Sequence, residues 1–220
     1  MFTSVVLYTN KLRLLKRFYR NVMELEIINN SEEEFTVNIG ESNLTFRQAD
    51  EASFYHFAFN IPGNQFSLIK SWMKGKLTLN REGGRDEVYF PSFNADSMYF
   101  EDPAGNIIEL IGRRHRDLFG NPSPASFLNI SEVSMTTYAM TKVGDHIQDL
   151  GIPLRQGTEI DPHSLNFLGR DDTFIVLVPP GRKWYFSKKE SENHPLEITL
   201  SNGNILTLDE EGHLTVTNEH

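Results

Sequence analysis

The sequence predicts an α+β protein in which a strand–helix–strand–strand–strand unit recurs, and three observations predict it. Apolar residues alternate over Phe2–Thr9 and then move to helical spacing at Leu12, Leu15, Phe18, Tyr19 and Val22. The same order restarts at His56 and again, less completely, at Phe127. Turn-formers such as Asn29-Asn30, Gly40 and Asp102-Pro103-Ala104-Gly105-Asn106 separate the short strands.

Taken in order, the first unit has a strand at 2–9, a helix at 12–22, and strands at 24–28, 34–39 and 43–47. The second has a strand at 56–61, a helix at 63–74 with Phe66, Ile69, Trp72 and Met73 as its stripe, and strands at 76–79, 97–101 and 106–111. Between these strands, residues 81–96, with Gly83, Gly84 and Pro91, read as a long loop of the kind that carries function. Residues 113–125, holding Gly120, Pro122 and Pro124, read as a linker. Beyond it come a strand at 127–136, a helix at 142–150 ended by Gly151, and strands at 152–155, 165–168 and 173–178. Segments 196–200, 205–208 and 213–216 then form a small β meander and not a fourth unit. The expected division is a domain of two units over 1–118 and a third unit with its β extension over 125–220.

The hairpin closing the second unit contains the chemistry. In Asp102-Pro103-Ala104-Gly105-Asn106 proline presets one turn dihedral and Gly105 or Asn106 accepts positive φ. Alternation puts Ile107, Glu109 and Ile111 on one face, so a carboxylate stands among isoleucines, where it must be neutralised, hydrogen-bonded or cation-bound. Symmetric closure sets Glu101 opposite Ile107 and Tyr99 opposite Glu109. On the strand at 56–61, His56 shares a face with Ala58 and Asn60. Ser4, Val6 and Tyr8 share one face of the first strand.

Composition bounds the rest. A net charge of −9 over 220 residues favours neither nucleic acid nor an anionic membrane, and the cluster Arg113-Arg114-His115-Arg116 reads as a solvated strand exit. No apolar run of membrane-spanning length and no signal peptide is present, which predicts a cytoplasmic protein. With no cysteine, any metal must be held by His, Glu, Asp, Tyr or amides.

The repeat, the helix end Phe18-Tyr19-Arg20-Asn21-Val22-Met23-Glu24-Leu25 and the hairpin Asp102-Pro-Ala-Gly-Asn-Ile-Ile-Glu-Leu110 together resemble the vicinal oxygen chelate superfamily. That group includes glyoxalase I, extradiol dioxygenases, and fosfomycin- and bleomycin-resistance proteins. The resemblance implies that paired βαβββ modules close into a curved sheet holding a divalent metal (Fe, Mn, Zn or Ni) on its concave face. It places His56 and Glu109 at two ligand positions and Tyr99 beside the substrate; the remaining ligand position falls on Ser4, where metal-dependent members usually have His, Gln or Glu. A second departure is Glu24, where the family usually has glycine.

Two functions follow from the resemblance. One is a metal-dependent enzyme of the glyoxalase or extradiol dioxygenase type, acting on a small oxygen-rich or aromatic molecule by bidentate chelation, with His56 and Glu109 as ligands, Tyr99 and Glu109 as catalytic residues, and Ser4, Tyr8 and Tyr99 at the substrate. The other is a metal-free binding protein of the bleomycin-resistance type. A divergent scaffold without a site is the third reading, with Glu109 merely paired with an arginine or lysine and His56 a surface or hydrogen-bonded residue. The expected partner is a small molecule. Because modules of this kind pair, an unpaired third module predicts a homodimer through residues 125–180.

Overall fold

The computed structural model describes residues 2–119 and 126–218, which form two seven-stranded mixed sheets with three α-helices. Gly120, Pro122 and Pro124 of the expected linker lie outside the described residues. The first unit comprises β1 (Phe2–Thr9), α1 (Leu12–Asn21), β2 (Ile27–Asn30), β3 (Glu34–Ile39) and β4 (Ser42–Gln48). Here β2 starts later than expected because the chain leaving α1 must reverse first. Leu25 N donates to Tyr19 O, and Glu24 takes φ 55°, a left-handed conformation that glycine adopts with less strain.

The second unit comprises β5 (His56–Pro62), α2 (Phe66–Lys74), β6 (Val88–Phe90), β7 (Ala95–Glu101) and β8 (Ile107–Arg113). Residues 76–79 are not a strand: Lys76 N and Leu77 N still bond to Met73 O at the helix end, and β6, from within the expected loop, pairs with β7 instead. The third unit comprises β9 (Asn129–Thr136), α3 (Met140–Asp149), β10 (Asn166–Arg170) and β11 (Thr173–Val178); residues 152–155 add only the single bridge Leu154–Leu168. The meander is β12 (Leu196–Leu200), β13 (Asn204–Leu208) and β14 (Leu214–Asn218).

Strand pairing corrects the expected partnership of the units. One sheet runs β14-β13-β12-β1-β4-β3-β2 and the other β10-β11-β9-β5-β8-β7-β6. The second unit therefore joins the third, through antiparallel β5 and β9, while the first joins the meander through β1 and β12. Burial gives the physical reason. Every residue of β5, β8 and β9 is buried, so these strands need cover on both faces, whereas β1 alternates buried with exposed or half-buried residues, as suits a sheet wet on one side. The sheets do not divide at residues 118–125. Within the third unit β9 lies between β5 and β11, and β10 is an end strand of that sheet.

The sheets pack through a shared aromatic core. Phe57, Phe59 and Ile61 of β5 point inward, with Phe57 6.4 Å from Phe46 of β4, so the opposite β5 face bearing His56, Ala58 and Asn60 is free to form a site. Helix α1 buries Leu12, Leu15, Phe18 and Tyr19, and the Tyr19 hydroxyl donates to Asp102 Oδ2 at 3.0 Å.

The hairpin has the expected register, Tyr99 opposite Glu109 and Glu101 opposite Ile107. Asp102 holds its turn: Oδ1 accepts from the backbone N–H of Ala104, Gly105 and Asn106 at 2.9, 3.1 and 3.1 Å, and Gly105 takes φ 91°. Burial raises the Asp102 pKa to about 6 despite hydrogen bonds from Asn106, Tyr19 and Ala104 that lower it. The folded carboxyl thus holds a proton that the unfolded one, near 3.8, has lost. Its contribution to stability is full below about pH 4 and is lost as pH rises through about 6. Thermal melts of wild type and Asp102→Asn at pH 4.5 and 7.5 are expected to show the wild-type advantage shrinking at the higher pH; a growing advantage would contradict the assignment.

Candidate functional site

On the free face of the second sheet, three adjacent strands present three metal-capable side chains. Ala58 on β5 is the register partner of Glu109 on β8 and also of Glu132 on β9, so two carboxylates flank one methyl group on the central strand. His56 lies two residues earlier on the same face. One ligand atom from each of His56, Glu109 and Glu132 falls within 4.8 Å of the other two, and all three residues are buried. A larger residue than Ala58 would fill the space between the carboxylates.

The imidazole is held in the form a ligand requires. His56 Nδ1 lies 3.1 Å from Ile107 O and so carries the proton, leaving the Nε2 lone pair facing Glu109 Oε2 at 3.7 Å. Burial lowers the His56 pKa to about 4, with a hydrogen bond to Ile107 opposing and the Arg182 charge adding to the shift. The ring is therefore neutral at neutral pH, flanked by Trp184 at 4.7 Å and Tyr99 at 6.4 Å between centroids.

Both carboxylates are held against their charge. Burial raises the Glu109 pKa, opposed by the nearby hydroxyls of Ser97 and Tyr99 and by Arg113. Burial, then repulsion from Glu109, raises that of Glu132 to about 8. Arg113 Nη2 lies 3.8 Å from Glu132 Oε1 and donates to Ser131 Oγ at 3.0 Å, while Nε donates to Asn60 Oδ1 at 3.0 Å. The Tyr99 phenol is raised well above its ordinary pKa by burial and by Glu109, so it remains a proton donor. Ser97 Oγ, buried on the same face, has no hydrogen-bond partner of normal geometry among the described residues.

A neutral nitrogen donor, two crowded carboxylates and an orphaned hydroxyl fit a divalent cation that accepts nitrogen and oxygen ligands. Above them opens a cavity of about 510 Å³ walled by Phe90, Phe93, Phe167, Val176 and Tyr185. The segment 179–191 crosses one side, with Trp184 against His56 and Phe186 stacked on Tyr99 at 4.9 Å.

The structure brings His56, Tyr99 and Glu109 together and leaves Ser4 and Tyr8 out. The last two lie on the other sheet, where Tyr8 donates to Glu197 Oε1 at 2.6 Å within an ion-pair network of Arg47 with Glu34 and Glu197. On the second sheet it is Glu132, not Ser4, that lies beside His56 and Glu109, because the second unit pairs with the third. Arg113, expected on a solvated exit, is 1% exposed. Sequence reasoning missed Glu132, Arg113 and Trp184. The signals available were the one charge, Glu132, in the strand at 129–136 and the aromatic run Trp184-Tyr185-Phe186 between Arg182-Lys183 and Lys188-Lys189.

A family model described as toxoflavin-degrading enzyme matches residues 130–182, a stretch that contains Glu132 and ends at Arg182. No curated protein sequence matches the chain. Among solved structures, a protein of Bacillus subtilis subsp. subtilis str. 168 provisionally assigned as a dioxygenase aligns over 98% of this chain and 83% of its own, with TM-score 0.64 and 12% identity. Lactoylglutathione lyase from Agrobacterium tumefaciens aligns over 52% of this chain and 95% of its own, with TM-score 0.43 and 19% identity. The fosfomycin-resistance protein FosX from Listeria monocytogenes, solved with Mn(II), aligns over 50% of this chain and 86% of its own, with TM-score 0.38 and 19% identity.

Proposed function

The chain has the fold of the vicinal oxygen chelate superfamily, and from that premise we propose that it is a metal-dependent enzyme acting on a small molecule bound through oxygen atoms in the cavity. The observation that carries this reading is the convergence of His56, Glu109 and Glu132 from three neighbouring strands, with the two carboxylates flanking Ala58. Two acids so close and so buried cannot both ionise without compensating positive charge, and the single guanidinium of Arg113 is shared among Glu109, Glu132 and Asp172.

A divalent cation held by these three residues would supply Lewis-acid polarisation of a substrate oxygen. The chain's own residues do the rest. Ile107 O fixes the His56 tautomer, so the ring offers its lone pair to the site. Trp184 and the phenylalanine walls exclude water and present flat faces to a planar substrate. The protonated Tyr99 phenol, opposite Glu109, can donate to an oxygen that gains charge.

The rival, a metal-free binding protein, has one observation in its favour: with a pKa near 8, Glu132 can hold a proton in place of the cation. Equilibrium dialysis against Mn(II), Fe(II) and Zn(II) at pH 8 decides between them. The enzyme reading expects one equivalent bound per chain and metal-dependent turnover of vicinal diols or α-hydroxycarbonyl compounds; ligand binding with no metal uptake would support the rival. Toxoflavin degradation is the narrower activity suggested by the match over residues 130–182, and it is tested by adding toxoflavin to the metal-loaded protein.

A further inference from the structure

Segment 179–191 carries more than the aromatic side of the cavity. Arg182 and Lys183 both line the cavity. Lys189 of the same segment pairs with Glu101 at 2.9 Å, yet neither Arg182 nor Lys183 makes an ion pair among the described residues. The guanidinium spends one long hydrogen bond, 3.4 Å, on Lys183 O, so most of its donors face no protein acceptor.

The backbone beneath these cations is built to hold them in place. Arg182 N donates to Ser191 Oγ at 3.0 Å, Ser191 N donates back to Arg182 O at 2.8 Å, and Ser191 Oγ donates to Pro179 O at 2.6 Å. Ser191 is 2% exposed, and the backbone of Lys183 forms an antiparallel β-bridge with that of Glu190. Two cations without an ion-pair partner among the described residues thus stand on a pinned backbone beside aromatic walls, as an anion site requires. An uncharged substrate would leave both without a partner.

We propose that the cavity takes a planar acid, its carboxylate or equivalent anionic group held by Arg182 with Lys183 while its oxygen donors face His56, Glu109 and Glu132. This inference rests on the reading of the cavity as a substrate site and specifies the substrate class. Calorimetric titration tests it with 3,4-dihydroxybenzoate and its neutral isostere 3,4-dihydroxybenzamide on the Mn(II)-loaded protein. The acid is expected to bind at least about tenfold more tightly than the amide. Combining Arg182→Gln with Lys183→Gln is expected to shrink that preference to less than about threefold without weakening the amide, and Arg182→Lys to retain part of it. Equal affinities in the wild type, or a preference that survives the double substitution, would overturn the proposal. Benzoate against benzamide on the metal-free protein separates the two readings: an Arg182-dependent preference for benzoate sustains the anion site even if Mn(II) is never taken up, and its absence there overturns the anion site alone.

Discussion

Replacing Glu132 with glutamine is expected to lower affinity for a divalent cation by at least about 100-fold, since loss of a direct ligand exceeds the 10- to 100-fold typical of an outer-shell change. The amide keeps the shape and removes the charge, so the strand and the cavity should persist. The paired control is Ser4→Ala, expected to change affinity by nothing measurable, because Ser4 lies on the other sheet opposite Asn43 and Thr199. Equilibrium dialysis on both variants reads the difference. Glu132→Gln has a second expected effect: without metal it should be at least as stable as the wild type near neutral pH, because it relieves a carboxyl whose burial already favours the neutral form.

Arg113→Ala is expected to cost about 3 to 5 kcal/mol of stability, the range for removing one partner of a buried charged network. Its guanidinium is 1% exposed and joins β8 to both neighbouring parts of the third unit: Ser131 Oγ on β9 at 3.0 Å and Asp172 Oδ1 in the β10–β11 turn at 3.4 Å. The variant leaves Asp172, Asn60 and Glu132 facing one another without a cation. Arg114→Ala, one residue on, removes an exposed pair with Asp96 and is expected to cost less than about 1 kcal/mol. Urea denaturation of the two variants gives the contrast. Similar losses would show that Arg113 is not the join between the second and third units.

Elements with a clear period were legible in the sequence. β1, β3 and β11 run where alternation or an unbroken apolar run puts them, and the hairpin register followed from counting outward from its proline–glycine turn. Segment 76–79 misled because Leu77 and Leu79 are apolar for core packing, with the backbone still finishing a helix. Pairing between units was the part that could not be read. All three units open with a strand that leads into a helix, and periodicity says which face is buried but not which strand lies alongside. That one ambiguity put Ser4, and not Glu132, beside His56 and Glu109. The adjacency of His56 and Glu109 does not depend on it, because both belong to one unit, whose internal order β8-β5 holds whichever unit lies beyond. Trp184 and Arg182 were hidden for another reason: they sit in an irregular segment, where side-chain direction depends on tertiary anchors such as Ser191 and Glu82.

The account stands on a cation held across β5, β8 and β9, and crystals grown with Zn(II) test it most directly through the anomalous signal of the metal. The expected result is one strong peak about 2.0 to 2.2 Å from His56 Nε2 and from a carboxylate oxygen of each of Glu109 and Glu132. Zinc-loaded crystals with no peak between those three residues, or with the peak beside Ser4 on the other sheet, would contradict it.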